Sequence, residues 1–383
     1  MRDDVAPQVK METTQRMVIF HPSDEMYGAD QMILATVRAL SSLFTVVVTL
    51  PTDVAYDEHH LSSKLVKCGI DVRHTRFVVL RRSRIFSARG VIRTILDSVH
   101  TATYLHRNSR IGDVIYLNTS ACLLVAIISK IMRRRIVAHI HEVWRPSERR
   151  LLGFPLRFCD LIISISEAVR ESLPSDLSRR SVVVYDCTGP RTPIPGRRHA
   201  SNHTIRLLVA SRWTLGKGYV ELLSAWNSIN RSDLQLVILG GPPVVGEGVP
   251  VPELVAQLGR PESVLVIGES NSVEYWMASS DVIVVPSVYP EGLCLVALEG
   301  LAAGKPVIAS NLGGLPEVVT PECGWLYDPA NPRELVSIID NITSSDLERK
   351  STAALDRYNE KFTVQMFESS IKKLVAPCGK RRS

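Results

Sequence analysis

Short apolar runs rich in β-branched residues recur along the chain, each closed by a turn and followed by a stretch with helical spacing. In the first half they lie at 17–20, 45–50, 72–74, 114–117, 136–140, 162–166 and 182–185. In the second half they lie at 205–210, 235–239, 264–268, 282–285 and 306–309. Strand and helix in alternation predict parallel sheets covered by helices on both faces, hence an α/β fold. In such sheets ligands are met at the carboxyl ends of the strands. Chemistry is therefore to be sought in the loops after each run: Gly28 and its neighbours, Asn118-Thr119, His139 to Glu142, Arg212 to Gly218, and Pro286 to Cys294. Val137, His139 and His141 share one direction in their strand, so only His141, at its end, is free to reach a ligand.

The densest pattern spans 281–317. The apolar run 282–285 stops at Pro286, and Leu293, Val296, Ala297, Gly300 and Leu301 then fall on one helical face until Gly304 ends the helix. Glu291 stands before the first turn and Glu299 two turns on, at most about 12 Å away if the interval is helical. The free N–H groups of the expected first turn, Gly292, Leu293 and Cys294, form an anion site. One element could thus hold a sugar hydroxyl at Glu291, a diphosphate on the backbone and a ribose at Glu299.

Composition narrows the classes. At 383 residues, 45% hydrophobic and 22% charged, the chain is globular and long enough for two cores. Its seven cysteines are scattered without a Cys-x-x-Cys pair, which predicts reduced thiols and no zinc site. The first 16 residues lack the apolar centre of a signal peptide, and the longest apolar run, 121–128, is too short for a bilayer span. A cytoplasmic protein is expected, with any membrane contact peripheral. Residues 1–195 hold 27 Lys and Arg against 19 Asp and Glu, a net of +8, while the remainder holds 18 against 20. The expected organisation is a tail at 1–15, a domain at 16–186, a linker at 187–203 rich in Pro, Gly and Arg, a second domain at 204–357 and a last helix within 358–378.

The string PSVYPEGLCLVALEGLAAGKPVIASNLGGLPE resembles the signature of retaining glycosyltransferases of family 4, matched at Pro286, Ser287, Glu291, Gly292, Glu299, Gly304, Pro306, Val307, Gly313, Gly314, Pro316 and Glu317. The resemblance implies the GT-B architecture, two Rossmann-like domains facing a cleft, with the last helix crossing back to the first domain. It implies transfer of a sugar from a nucleotide-sugar donor to an acceptor hydroxyl. By the same resemblance Arg212 and Lys217 belong to a donor loop, and two cations after a strand suit a departing diphosphate. Glu291 and His141 orient the sugar, Gly28 and Ala29 take the place of a glycine-rich loop, and Gly268 lies near the base. Ser166-Glu167 matches the family's Ser-Glu, whereas Asp186-Cys187-Thr188-Gly189 replaces its usual Asn-Gly-Val-Asp. No Asp-x-Asp occurs, so a metal-independent hexosyltransferase without a cofactor is expected. An epimerase or hydrolase of the same architecture, or a silent nucleotide-sugar-binding subunit, are the rivals.

Arg81, Arg82, Arg84, Arg89 and Arg93 sit among Phe77, Val78, Val79, Leu80, Ile85 and Phe86, with Arg133 to Arg135, Arg145, Arg149 and Arg150 adding charge. Basic clusters mixed with apolar side chains suit an anionic membrane surface. A glycan or lipid-linked acceptor, as in surface-polysaccharide assembly at the inner face of the cell membrane, would account for this. Nucleic acid is not expected as a partner, because no nucleic-acid motif accompanies the charge.

Overall fold

A computed structural model of the chain describes residues 15–56, 60–81, 87–191, 204–243, 247–270 and 272–376. Residues 1–14 of the expected tail at 1–15, linker residues 192–203, and Arg82, Arg84, Ile85 and Phe86 lie outside the described residues.

Every expected strand is present, with ends shifted by no more than two residues. They are β1 (Arg16–Phe20), β2 (Thr45–Pro51), β3 (Asp71–Thr75), β4 (Val114–Asn118), β5 (Arg135–Ile140), β6 (Leu161–Ser164) and β7 (Ser181–Val183). There follow β8 (Ile205–Ala210), β9 (Leu234–Leu239), β10 (Val264–Gly268), β11 (Val282–Val285), β12 (Val307–Ser310) and β13 (Gly324–Tyr327). Among the described residues they form a seven-stranded sheet, β3-β2-β1-β4-β5-β6-β7, and a six-stranded sheet, β10-β9-β8-β11-β12-β13. The fold is α/β with parallel pairing. Strands such as Met17 to Phe20 and Val282 to Val285 are buried along their whole length, which is why they read as unbroken apolar runs and not as alternating ones.

In both sheets the strand order reverses beside the first strand. Met17 of β1 pairs with Val46 on one side and Val114 on the other. Leu208 of β8 pairs with Val237 and with Ile283 of β11. Loops leaving the carboxyl ends of β8 and β11 therefore diverge at a switch point, the place where open α/β sheets hold ligands.

The chain divides into two compact units, one of residues up to 140 with 150–163 and those from 368 on, the other of 141–149 with 164–367. In the first, Phe20 meets Phe77 edge to face with centroids 5.0 Å apart. The helix Val364–Val375 ends in this unit, where the Arg135 guanidinium donates to the carbonyls of Val375 at 3.1 Å and Ala376 at 3.0 Å. Arg134 is buried and donates to the hydroxyl and carbonyl of Ser109. Arg81 is bidentate on Asp53 at 2.9 and 3.1 Å and reaches the Pro22 carbonyl. Three arginines of the expected basic surface are thus engaged inside the unit, because each lies beside backbone or carboxylate acceptors that burial leaves in need of a donor. In the second unit Leu207, Val209, Leu236, Ile238, Val282 and Ile308 pack with Tyr219, Leu222 and Trp226 of the helix Tyr219–Trp226 and with Leu335 and Ile339 of the helix Pro332–Asp340.

Candidate active site

Three loops of the second unit converge at the carboxyl ends of the adjacent strands β8, β11 and β12. The first carries Arg212 and Lys217, the second Ser287, Glu291 and Gly292, the third Gly313 and Gly314. Main-chain bonds lace them together: Val288 N–H donates to the Gly216 carbonyl at 3.0 Å, and Gly314 N–H to the Glu291 carbonyl at 2.8 Å. Glycine makes the approach possible. A Cβ on Gly313, whose φ is +57°, would stand 2.2 Å from the Glu291 carbonyl oxygen, and one on Gly314 would stand 2.1 Å from that of Gly292. The Gly-Gly of the sequence motif is thus a spacing device for the Glu291 loop.

At the centre Lys217 Nζ donates to Glu291 Oε1 at 2.6 Å, and the buried Ser287 hydroxyl donates to the same oxygen at 2.5 Å. Burial opposes charge on both partners. The pair overrides it: Glu291 beside the ammonium holds Lys217 above the ordinary lysine value, and Lys217, Ser287 and Arg212 hold Glu291 below the ordinary carboxylate value. Arg212 acts on both through its charge, so the two cations expected from the sequence lie in one field with Glu291. An ammonium, a guanidinium and a carboxylate fixed at strand ends can bind a phosphate and a sugar hydroxyl side by side.

The helix expected to start after Glu291 starts later. It runs Leu295–Ala302, and Cys294, at φ +75°, is its N-cap. Gly292, Leu293 and Cys294 therefore precede the first turn, whose N–H groups are those of Leu295, Val296 and Ala297. The cause is local: a Cβ on Gly292 would stand 2.1 Å from the His141 carbonyl, and Leu293 is buried, so this stretch is held by tertiary contacts before the helix can form. The helix ends before Gly304, at φ +64°, as its sequence pattern expects.

The Cys294 thiol is pushed up to about 11, chiefly by burial and then by the Glu291 charge, although Lys217 and the first-turn N–H groups work the other way. Helix N-termini commonly lower cysteine pKa values, so the sign here is informative. At pH 8 alkylation of Cys294 by iodoacetamide is expected to be at least about tenfold slower than that of the exposed Cys68, as read by peptide mass mapping. Equal rates would contradict this environment.

Glu299 lies one turn into the same helix, buried, and accepts from Arg191 Nη2 at 2.7 Å. Burial raises its pKa and Arg191 opposes the rise. Arg191 also pairs with Glu274. His141, just past β5, has a nearly buried ring whose Nδ1 is 3.7 Å from Asp186 Oδ2. Asp186 is the first residue of the stretch that departs from the family pattern. His139, which the strand alternation directs inward, is fully buried with Tyr116 Oη 2.8 Å from its Nδ1. Gly268, at φ +83°, ends the edge strand β10, which β9 separates from β8, and its carbonyl accepts from Gly240.

Gly28 and Ala29 lie in the first unit, as the opening residues of the helix Gly28–Leu40. Asp30 anchors that turn: its carboxylate accepts from Tyr27 N–H at 3.1 Å and is 2.8 Å from His21 Nε2, while the other ring nitrogen of His21 meets Asn118 at 2.9 Å. Asn118 thus serves the loop as a buried support.

Four contacts were not anticipated from the sequence: Ser287 with Glu291, Arg191 with Glu299, Asp186 with His141, and Glu317 with the N–H groups of Glu167 and Ala168. The Glu317 carboxylate accepts the N–H groups of Glu167 and Ala168, both at 2.8 Å, and the Ser166 hydroxyl donates to the Gly292 carbonyl at 2.6 Å. Membership of Ser287, Glu317 and Ser166-Glu167 in the motif was the available signal. Nothing local marks Arg191.

Residues 196–362 match the family model described as glycosyl transferases group 1. The chain is 31% identical over 183 residues to the lipopolysaccharide 1,2-N-acetylglucosaminetransferase of Salmonella typhimurium, covering 43% of this chain and 48% of that protein. It is 31% identical over 194 residues to the D-inositol 3-phosphate glycosyltransferase of Mycolicibacterium vanbaalenii, covering 45% of this chain and 43% of that one. The chain thus spans about half or less of the length of the curated relatives it matches. Its fold is similar to that of Anabaena Alr3699/HepE, crystallised with UDP and glucose, at a TM-score of 0.76 and 23% identity over 94% of this chain and 99% of that one. Residues 196–362 are thus similar to the group 1 glycosyl transferases, within a chain that has the GT-B fold.

Proposed function

We propose that the chain is a glycosyltransferase that moves a hexosyl group from a nucleotide-sugar donor to an acceptor hydroxyl with retention of anomeric configuration. The observation that carries this reading is the Lys217–Glu291 pair with Arg212 beside it at the carboxyl ends of β8 and β11. As the donor's diphosphate departs, Lys217 and Arg212 meet its growing negative charge, the electrostatic contribution that is usually the largest in such reactions. Glu291 accepts from donor-sugar hydroxyls, with His141 assisting, and the acceptor attacks from the face the diphosphate leaves. Glu299 takes ribose hydroxyls in exchange for Arg191. Gly292, Leu293 and Cys294 line the diphosphate, and Gly268 lies toward the base.

Neutralisation by side chains makes the reaction metal-independent. The solved structure of HepE with UDP and glucose supports a uridine nucleotide as the first donor to test. The lipopolysaccharide transferase among the relatives supports an acceptor that is a glycan or a lipid-linked glycan, met at the inner face of the cell membrane. The test is a time course with UDP-sugars, with and without acceptor, and proton NMR of the product's anomeric centre. Acceptor-dependent transfer with retention is expected. Equal turnover of donor without acceptor would make the protein a hydrolase or epimerase, and an inverted product would remove the front-face mechanism.

A further inference from the structure

The helix Ala88–Asn108 of the first unit turns most of its aliphatic side chains outward. The residues it buries are Leu105 and the polar Asp97 and Thr101, with Gly90. The Asp97 carboxylate pairs with Arg76, and the Thr101 hydroxyl accepts from Val78 N–H at 2.9 Å and donates to the Asp97 carbonyl at 2.6 Å. The outward face instead carries Val91, Ile92, Ile95, Leu96 and Val99, each between 50% and 61% exposed. At 3.6 residues per turn these five form one continuous stripe. Single exposed apolar residues are ordinary, but a contiguous stripe marks a surface that something covers.

Charge says what that is. Arg89 and Arg107, with His100 between them, lie along one border of the stripe, while Arg93 on the same border is drawn to Asp97 at 3.8 Å, and Asp97, the one acidic residue of the helix, is turned inward. The outer face thus offers apolar side chains and cations with no anion among them. A second copy of the chain would bring another basic border and no counter-charge. An anionic bilayer supplies acidic headgroups and, just beneath them, an apolar phase. No helix among the described residues is long and apolar enough to cross a membrane, so the segment would lie on a bilayer and not through it.

We propose that the outward face of Ala88–Asn108 is the surface by which this protein docks on anionic membranes, the stripe entering the acyl boundary and the arginine border meeting lipid phosphates. For its purpose it rests on the proposed membrane-carried acceptor. Arg81, Arg134 and Arg135, which a reading of charge alone would enlist, are engaged within the unit.

The full chain should sediment with phosphatidylcholine vesicles containing phosphatidylglycerol, less so with phosphatidylcholine alone, and less as salt rises. The variant Ile92→Ser/Ile95→Ser/Val99→Ser should lower the partition coefficient on the order of 10²-fold, and Arg89→Ser/Arg107→Ser at least about tenfold. Both should keep the parent's melting transition, because these side chains are exposed. Should the triple variant melt early, the arginine pair decides. Absence of binding at low salt, or variants that bind as the parent does, would overturn the proposal. So would a parent dimer that the serine substitutions dissolve, since that would assign the stripe to a second copy. Transfer to a water-soluble acceptor is measured on the same samples. Its absence would sink the transferase reading while leaving vesicle binding standing, and its presence without vesicle binding would do the reverse.

Discussion

Replacing Lys217 by alanine is expected to lower kcat by a factor on the order of 10² or more, with little change in KM. Two losses are combined in that substitution. The transition state loses a cation at the departing diphosphate, and Glu291 loses the ammonium 2.6 Å from its carboxylate. Removing one partner of a buried pair is itself destabilising. The double variant Lys217→Ala/Glu291→Gln should therefore recover much of the melting temperature while leaving turnover low. Unchanged kcat with only a raised KM would dismiss Lys217 from the chemical step, and abolition of activity by a chelator would demand a metal.

The same pair sets a pH expectation for stability. Glu291 is held below the ordinary carboxylate value of 4.5, so its contribution is complete above that pH and is lost as pH falls through the lower folded value. Lys217 is held above the ordinary 10.5, so its contribution is complete below that pH and is lost as pH rises through the higher folded value. Between those limits the pair adds no slope, and any inflection in the melting temperature near neutrality must come from another group.

The two glutamates should separate by ligand. Glu299→Ala is expected to weaken binding of the nucleoside diphosphate by about tenfold to a hundredfold, because ribose is common to donor and product and its hydroxyls would lose a charged acceptor. Loss of Glu299 leaves Arg191 with Glu274 still paired, so no cation is stranded. Glu291→Ala should leave nucleoside diphosphate binding nearly intact and lower kcat on the order of 10², since only the donor sugar meets it. Calorimetry with the diphosphate alone decides, and equal losses in both variants would refute the division.

The framework was legible because fully buried parallel strands leave unbroken apolar runs, and because the residues around Glu291 are punctuated by glycines and prolines that local geometry demands. The position of Lys217 in the loop after β8 was legible from the strand pattern and the resemblance, whereas its contact with Glu291 was not. The start of the helix was not: apolar spacing reports which side chains share a face, whereas the delay to Leu295 comes from φ at Cys294 and from the His141 carbonyl pressed on Gly292. Arg191 meets Glu299 across 108 positions and Glu317 meets Glu167 across 150, separations over which no local pattern carries information. The stripe Val91 to Val99 has the spacing of an ordinary core-facing helix, and only its exposure in the folded chain shows that it points outward.

Gly313 and Gly314 place peptide planes directly on the Glu291 loop with no side chain between. Any substitution there inserts a wedge of at least one methyl group where no gap exists to receive it. The carboxylate's position is thus inherited from main chain, and the loop spacing cannot be tuned in small steps by exchanging one side chain for a slightly larger one. Drift toward a different sugar, in nature or in the laboratory, has to be sought at side chains that border the pocket and leave these planes untouched.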